Sequence, residues 1–330
     1  MSFRPIKLPQ DFDLVERMVI DSFQYPENPD WNIQDDQLQS IQESIASYKK
    51  LWPLMNFLGL FSYQIRNALG GYIWEEDNTS AGLVLNHSGN REEWEVGTLG
   101  VLPEFRRRGI ARELLQHSIE EFKSRNGKRA FLQVIAGNVP AQTLYLQNGF
   151  VDFTGNHEIE HHGDAVALPI LPKGYTEIEM GRFEWKPRFE HAGAITPDEV
   201  KQFAPVKAKD FKISPLLKLV VPLMEKAQGT RRVNLLYHTN DTGEIAGRIG
   251  ISLRTREGGV VSAFSRLTPG HEVLGDYLFQ KILHLANTES PGRRISMDMP
   301  SWQDEAMKAA EKAGFTSRVE YREMALSLEE

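Results

Sequence analysis

The stretch "PEFRRRGIARELL", residues 103–115, decides how this chain folds. Three consecutive arginines, Arg106, Arg107 and Arg108, run into Gly109 in a chain whose formal net charge is −7. Upstream, "EWEVGTLGVL" (93–102) reads as a strand that Pro103 ends. Downstream, apolar residues recur at Ile110, Leu114, Leu115, Ile119 and Phe122, one face of a helix, while Glu113, Glu120 and Lys123 fall elsewhere on it. The quoted stretch is therefore a strand–turn–helix junction. A helix N-terminus presents unpaired N–H groups and the positive end of the macrodipole, which together suit a phosphate. Gly109 allows an unusual dihedral or the close approach of a ligand. No GK[ST] follows a glycine-rich turn, and the Rossmann glycine spacing is missing. What remains is a pyrophosphate cradle of another type.

Working outward, "FDLVERMVIDSF" (12–23) has helical spacing, and "GGYIWEEDNTSAGLVLN" (70–86) reads as a hairpin turning at "EDNTS" (76–80). Beyond the helix come a strand at "RAFLQVIAG" (129–137), a short helix at "VPAQTLYLQNGF" (139–150) and a further strand at "VDFTGNHEIE" (151–160). The order β-α-β-α-β implies an α/β sandwich with a partly parallel sheet.

These residues carry a resemblance to the GNAT acetyltransferase superfamily. Its coenzyme signature, Q/R-x-x-G-x-G/A after a strand, reads here as Arg106-Arg107-Arg108-Gly109-Ile110-Ala111. A second signature follows one amphipathic helix later, in "LQVIAGNVPAQTLYLQNGF" (132–150), with Asn138, Ala141, Leu144-Tyr145 and Gly149-Phe150. The resemblance covers roughly residues 70–150 closely. It implies acetyl-CoA as acyl donor, its pyrophosphate held by backbone amides from Arg106 to Ala111. It further implies main-chain pairing of the pantetheine arm with the strand at Leu99, Gly100 and Val101. The Leu99 amide would polarise the thioester carbonyl, Asn138 would lie beside the coenzyme, and Tyr145 near its sulfur.

Acetyl transfer to an amine needs a proton acceptor, a donor for the carbonyl oxygen and a proton for the leaving thiolate, with much of the rate supplied by orientation. Tyr145 is the candidate acid; the competing role is an aromatic packed against the core beside Leu144 or Leu146. Glu95 is the candidate base; the competing role is an exposed carboxylate among Glu92 and Glu93. Strict alternation along an extended strand places Glu95, Gly97, Leu99 and Val101 on one face. Arg107 and Arg108 are either phosphate contacts or solvated charges. "NHEIEHH" (156–162) brings together His157, His161 and His162, but Ile159 and the preceding residues read as strand, and no metal is expected.

The second half echoes the first. Tyr72, Ala81 and Gly82 recur 165 positions later as Tyr237, Ala246 and Gly247, and Ala141, Gly149 and Phe150 as Ala306, Gly314 and Phe315. The coenzyme signature is not repeated: the arginine positions become His271, Glu272 and Val273, Asn138 becomes Gln303 and Tyr145 becomes Ala310. The chain thus resembles tandem GNAT proteins, such as the mycothiol synthase group, in which one half is degenerate. We expect a donor-binding domain at 1–168, a linker at 169–175 within "ALPILPKGY" (167–175), and a degenerate GNAT-like domain at 176–330. Each is expected to be a mixed, partly parallel twisted sheet flanked by helices. Composition sets the remaining bounds. The 330 residues suit two domains. The absence of cysteine excludes disulfides and thiol nucleophiles. The acidic balance argues against a nucleic-acid partner. "LWPLMNFLGLF" (51–61) is too short to span a bilayer. A cytoplasmic enzyme, monomer or homodimer, acting on a small-molecule or peptide amine is the reading; a non-catalytic acyl-CoA-binding module is the alternative.

Overall fold

The computed structural model describes residues 2–77, 79–162 and 166–329. In chain order these form β1 (Ser2–Pro5), α1 (Phe12–Ser22), α2 (Asp35–Gly59), α3 (Tyr63–Arg66), β2 (Gly70–Glu76), β3 (Thr79–Asn90), β4 (Glu93–Val101), α4 (Ile110–Ser124), β5 (Arg129–Ile135), α5 (Val139–Gln147) and β6 (Val151–His161). There follow β7 (Tyr175–Glu179), α6 (Lys186–Ile195), α7 (Asp198–Phe203), α8 (Ala208–Phe211), α9 (Pro215–Gln228), β8 (Thr230–Thr239), β9 (Ile245–Arg254), β10 (Val261–Leu267), α10 (Glu272–Glu289), β11 (Ile295–Pro300), α11 (Asp304–Lys312) and β12 (Thr316–Ser327). The expected hairpin turn at 76–80 contains Asn78, which lies outside the described residues. The chain is a mixed α/β protein, with helices flanking sheets that contain both parallel and antiparallel pairs. Among the described residues no helix is long and apolar enough to cross a membrane.

The residues gather into two compact units. The first comprises Met1–Phe153, Ser214–Met224 and Arg322–Glu330; the second comprises Thr154–Ile213 and Glu225–Tyr321. In the first unit the strand order is β1-β2-β3-β4-β5 followed by the later part of β12. Antiparallel pairing runs from β1 to β4, and β4 pairs with β5 in parallel. One face packs on α4 through Ile110, Leu114, Leu115 and Phe122, which meet Val84, Trp94, Val96, Leu132 and Phe150. Burial of such side chains contributes about 1.5–3 kcal/mol each. Ile119, expected on this seam, is only partly buried. Ser118 takes the place instead, fully buried, and accepts a hydrogen bond from Asn86 Nδ2 at 2.9 Å. The opposite face packs on α1 through Val15 and Met18 against Ile73 and Leu83. Two distant segments complete this unit. Val220 and its neighbours pack on Met55 and Leu58 of α2, and Met324 and Leu328 enter the α4 core.

In the second unit β12 (316–321), β6, β11, β10, β9, β8 and β7 lie side by side, with β10 and β11 parallel. Its core packs Leu274, Leu278, Phe279 and Ile282 of α10 on Ile249, Ile251 and Met297. The repeated sequence has a structural counterpart. A Cβ on Gly82 would meet Ile110 at 2.9 Å and Leu114 at 3.3 Å, while one on Gly247 would meet Leu278 at 3.1 Å and Leu274 at 3.2 Å. Each glycine lets its strand lie directly under the helix that follows.

Candidate active site

The arginine–glycine stretch leaves β4 through a short 3-10 turn, Pro103–Phe105. Arg107 then adopts a positive φ of 65°, and Gly109, the residue preceding α4, a φ of 86°. Left-handed residues set between right-handed or extended ones turn successive N–H groups toward a common point, the geometry of an anion nest. The hydrogen bonds agree. Arg106 N donates to Pro103 O, and Arg112 N and Glu113 N donate to Gly109 O. Between them, the amides of Arg107, Arg108, Gly109, Ile110 and Ala111 have no acceptor among the described residues. A Cβ on Gly109 would meet nothing within 4 Å, so the space before these amides is open.

The guanidinium groups lie elsewhere. Arg106 donates to Val101 O at 3.2 Å and Ser22 O at 3.0 Å and lies 5.8 Å from the Tyr25 ring, tying the end of β4 to the end of α1. Arg108 pairs with buried Glu76 at 3.0 Å and donates to Glu104 O at 2.9 Å. Of the three, only Arg107 is exposed without a side-chain partner among the described residues. The cradle is made of backbone, and two of its arginines hold that backbone in shape.

Beside the cradle the sheet opens. The β4–β5 ladder runs only from Glu93 and Arg129 to Val96 and Leu132, although β4 continues to Val101 and β5 to Ile135. The two strands part there, leaving the edge of Leu99, Gly100 and Val101 beyond the ladder. One register shift reorders the faces. Asn86 pairs with Val96 but Leu85 pairs with Thr98, so Gly97 is an extra residue, a β-bulge. Leu99 and Val101 pack toward α4 with Val96, whereas Glu95 lies opposite His87. Gly100 faces Ser22 of α1. The shared face expected for Glu95, Leu99 and Val101 is thus corrected. The bulge flips the parity, and Glu95 instead shares the α1 side with Thr98 and Gly100. There its carboxylate meets His87 Nε2 at 3.0 Å, with both side chains about half exposed. The Glu95 hydrogen bond raises the His87 pKa above its usual value, outweighing the opposing effect of burial.

Tyr145 projects from α5 into the α4 core and is 7 % exposed, in edge contact with Phe150 at 6.0 Å. Of its expected packing neighbours, Leu144 is partly buried and Leu146 exposed. Burial, with Tyr25 nearby, pushes the Tyr145 phenol far above its ordinary pKa, so it keeps its proton. Asn138 precedes α5, accepting from Ala141 N at 3.3 Å and bonding the Tyr25 side chain. Sequence reasoning did not find Tyr25 and Trp31. They come from the loop after α1, where Trp31 meets Tyr25 edge-on at 5.5 Å and lies against Gly137. Nothing in "QYPENPDWN" (24–32) beyond its turn-forming residues announces that it reaches Asn138. His87 was missed as well, because only the strand register reveals its pairing with Glu95.

In the second unit, side chains cover part of the corresponding junction. The Glu305 carboxylate accepts from the Gly270 amide, at 3.0 and 3.3 Å from its two oxygens, just before α10. Gln303 accepts from Leu267 N at 2.8 Å and donates to Leu267 O at 3.2 Å, covering the end of β10. Ala310, at the Tyr145 position, is buried in the core, and Lys312 pairs with Asp276.

Residues 33–150 match the acetyltransferase (GNAT) family. A curated relative is the [ribosomal protein bS18]-alanine N-acetyltransferase of Salmonella typhimurium, 36% identical over 85 residues. That match takes in 24% of this chain and 57% of the relative, so the chain spans little more than half of the relative's length. Two solved structures show the same fold along the chain. A tandem GNAT protein from the clavulanic acid biosynthesis pathway is 16% identical with a TM-score of 0.64, covering 100% of this chain and 99% of its own. A GCN5-related N-acetyltransferase from Sphaerobacter thermophilus is 14% identical with a TM-score of 0.67, covering 99% and 96%.

Proposed function

We propose that this protein is an acetyl-CoA-dependent N-acetyltransferase with one donor site, in its first unit, acting on a small-molecule or peptide amine. The observation that carries this reading is the run of unpaired amides from Arg107 to Ala111, beside strands that part beyond Val96 and Leu132. The residues fit a pyrophosphate: N–H donors converge at a helix N-terminus, and the space a Cβ on Gly109 would take is open. Acetyl-CoA would supply an activated acyl thioester there. Arg107 is the remaining cation for its phosphates, and the edge of Leu99, Gly100 and Val101 offers main-chain groups to its pantetheine arm.

The chain's own residues then handle the protons. Glu95 and His87 act as one acceptor for the proton that the amine loses as its nitrogen bonds the acyl carbon. While His87 is protonated, its hydrogen bond occupies the Glu95 carboxylate; once His87 is neutral, the pair has room for that proton. Tyr145, held protonated by burial, donates its O–H as a hydrogen bond to the sulfur as the carbon–sulfur bond breaks and the thiolate leaves. Asn138 and Tyr25 position the phenol.

The test is coenzyme A release from acetyl-CoA across a panel of polyamines, amino acids, aminoglycosides and peptides. Turnover on any of them that Tyr145→Phe lowers about a hundredfold supports the reading. Tight acetyl-CoA binding without turnover on the whole panel replaces it with the acyl-CoA-binding module.

A further inference from the structure

The second unit carries a cluster of basic side chains, in which two arginines bury a nitrogen that finds no hydrogen-bond partner among the described residues. In the β9–β10 ladder Arg248 stands directly opposite Arg266, with Gly250 opposite Phe264 two residues along. Like charges so placed repel. Both guanidinium groups lie against the Phe264 ring, at 5.0 Å for Arg248 and 5.8 Å for Arg266. Helix α6 adds Arg188 and His191. The buried Nε atoms of Arg188 and Arg248 have no hydrogen-bond partner among the described residues, and Arg248 makes no ion pair there. Asp298 lies beside Arg266 and exposed Glu184 beside Arg188, while Arg232 and His238 add further basic groups at the margin.

A partly buried guanidinium cannot readily discharge itself, and leaving its buried Nε unpaired is costly. Burial and the charges of Arg266 and Arg188 pull Arg248 down to about 10, which still leaves it charged at neutral pH. His191 fixes a second property of the site. It is 1 % exposed, and burial with the neighbouring arginines lowers it to about 3, so the ring is neutral. Thr268 Oγ1 donates to Ile245 O, so it accepts from His191 Nε2 at 3.1 Å. Nδ1 is then a buried acceptor without a donor among the described residues.

The geometry points to a binding site for an oxyanion that also carries a hydroxyl, held by Arg188, Arg248 and Arg266 with its O–H donated to His191 Nδ1. Hydrogen phosphate and hydroxycarboxylates share that chemistry; sulfate, equal in charge and shape to hydrogen phosphate, lacks the hydroxyl. The site belongs to the half that does not hold the donor cradle, so it stands independently of the proposed activity.

The experiment is thermal unfolding and calorimetric titration of the full chain with inorganic phosphate, citrate, sulfate and sodium chloride at matched ionic strength near pH 7.5. Phosphate or citrate at tenfold its dissociation constant should raise Tm by about 2–5 °C, sulfate less and chloride not at all. Phosphate alone identifies a phosphate site, and citrate alone a hydroxycarboxylate site. Arg248→Met should raise Tm without ligand and abolish the response, and Arg188→Met serves as a second variant should the first fail to fold. Gly109→Glu should keep the response, which separates this site from the cradle. No response to phosphate or citrate, or the same response in both arginine variants, overturns the site. Sulfate equal to phosphate overturns the role of His191.

Discussion

Arg107 holds a backbone angle, φ 65°, that costs an L-residue about 1–2 kcal/mol relative to glycine. Strain of this kind persists where the surrounding structure imposes it, here through Arg106 and Arg108 anchored on either side. Arg107→Gly should therefore stabilise the unliganded protein by about 1 kcal/mol in urea unfolding; an unchanged or lower stability would remove the strain argument. His87 gives a pH prediction. Its folded pKa lies above its usual value, so the stabilisation from the Glu95 pair is complete below about pH 6.5 and is lost as pH rises through the folded value. Turnover should climb over that same range as His87 becomes neutral. Glu95→Gln should return the His87 titration, followed by NMR, toward 6.5; an unshifted midpoint would separate the two residues. Gly109, Tyr145 and Asn138 were legible as site candidates from their motif alone. The partners of Arg106 and Arg108 were not, since Ser22 and Glu76 meet them only through the fold.

At the scale of elements, the strand–turn–helix junction and the apolar stripe of α4 follow directly from residue spacing. The bulge at Gly97 does not. A strand read alone shows a period of two, and an extra residue appears only against the register of its neighbour. That one residue decides which face Glu95 occupies. A Cβ at Gly97 would stand 3.1 Å from His87 Nδ1, too close for the present ring position. Gly97→Ala should displace the imidazole, lower the His87 pKa and cut turnover about tenfold or more, while acetyl-CoA affinity is kept. Full activity with an unmoved His87 titration would show that the pair is not used. Ser118 in the α4 seam escaped the periodic reading for a similar reason: its burial depends on Asn86 across the interface.

For the whole molecule, the duplication was legible in paired residues such as Gly82 and Gly247, but the sharing of segments was not. The last strand supplies Met324 and Leu328 to the first unit, where they are 2 % and 6 % exposed. Sequence adjacency carries no sign of that destination. A chain ending at residue 321 loses both side chains, a cost of about 3–6 kcal/mol against a typical total of about 5–15. It should unfold at markedly lower denaturant and lose acetyl-CoA binding; a stable truncated chain with intact binding would contradict the shared core. The central claim is that the first unit offers a run of five free amides from Arg107 to Ala111, whereas in the second the Glu305 carboxylate covers the Gly270 amide before α10 and Gln303 covers the end of β10. Calorimetric titration with acetyl-CoA tests it most directly. One molecule should bind per chain, and none to Gly109→Glu; two per chain, or undiminished binding by that variant, would contradict it.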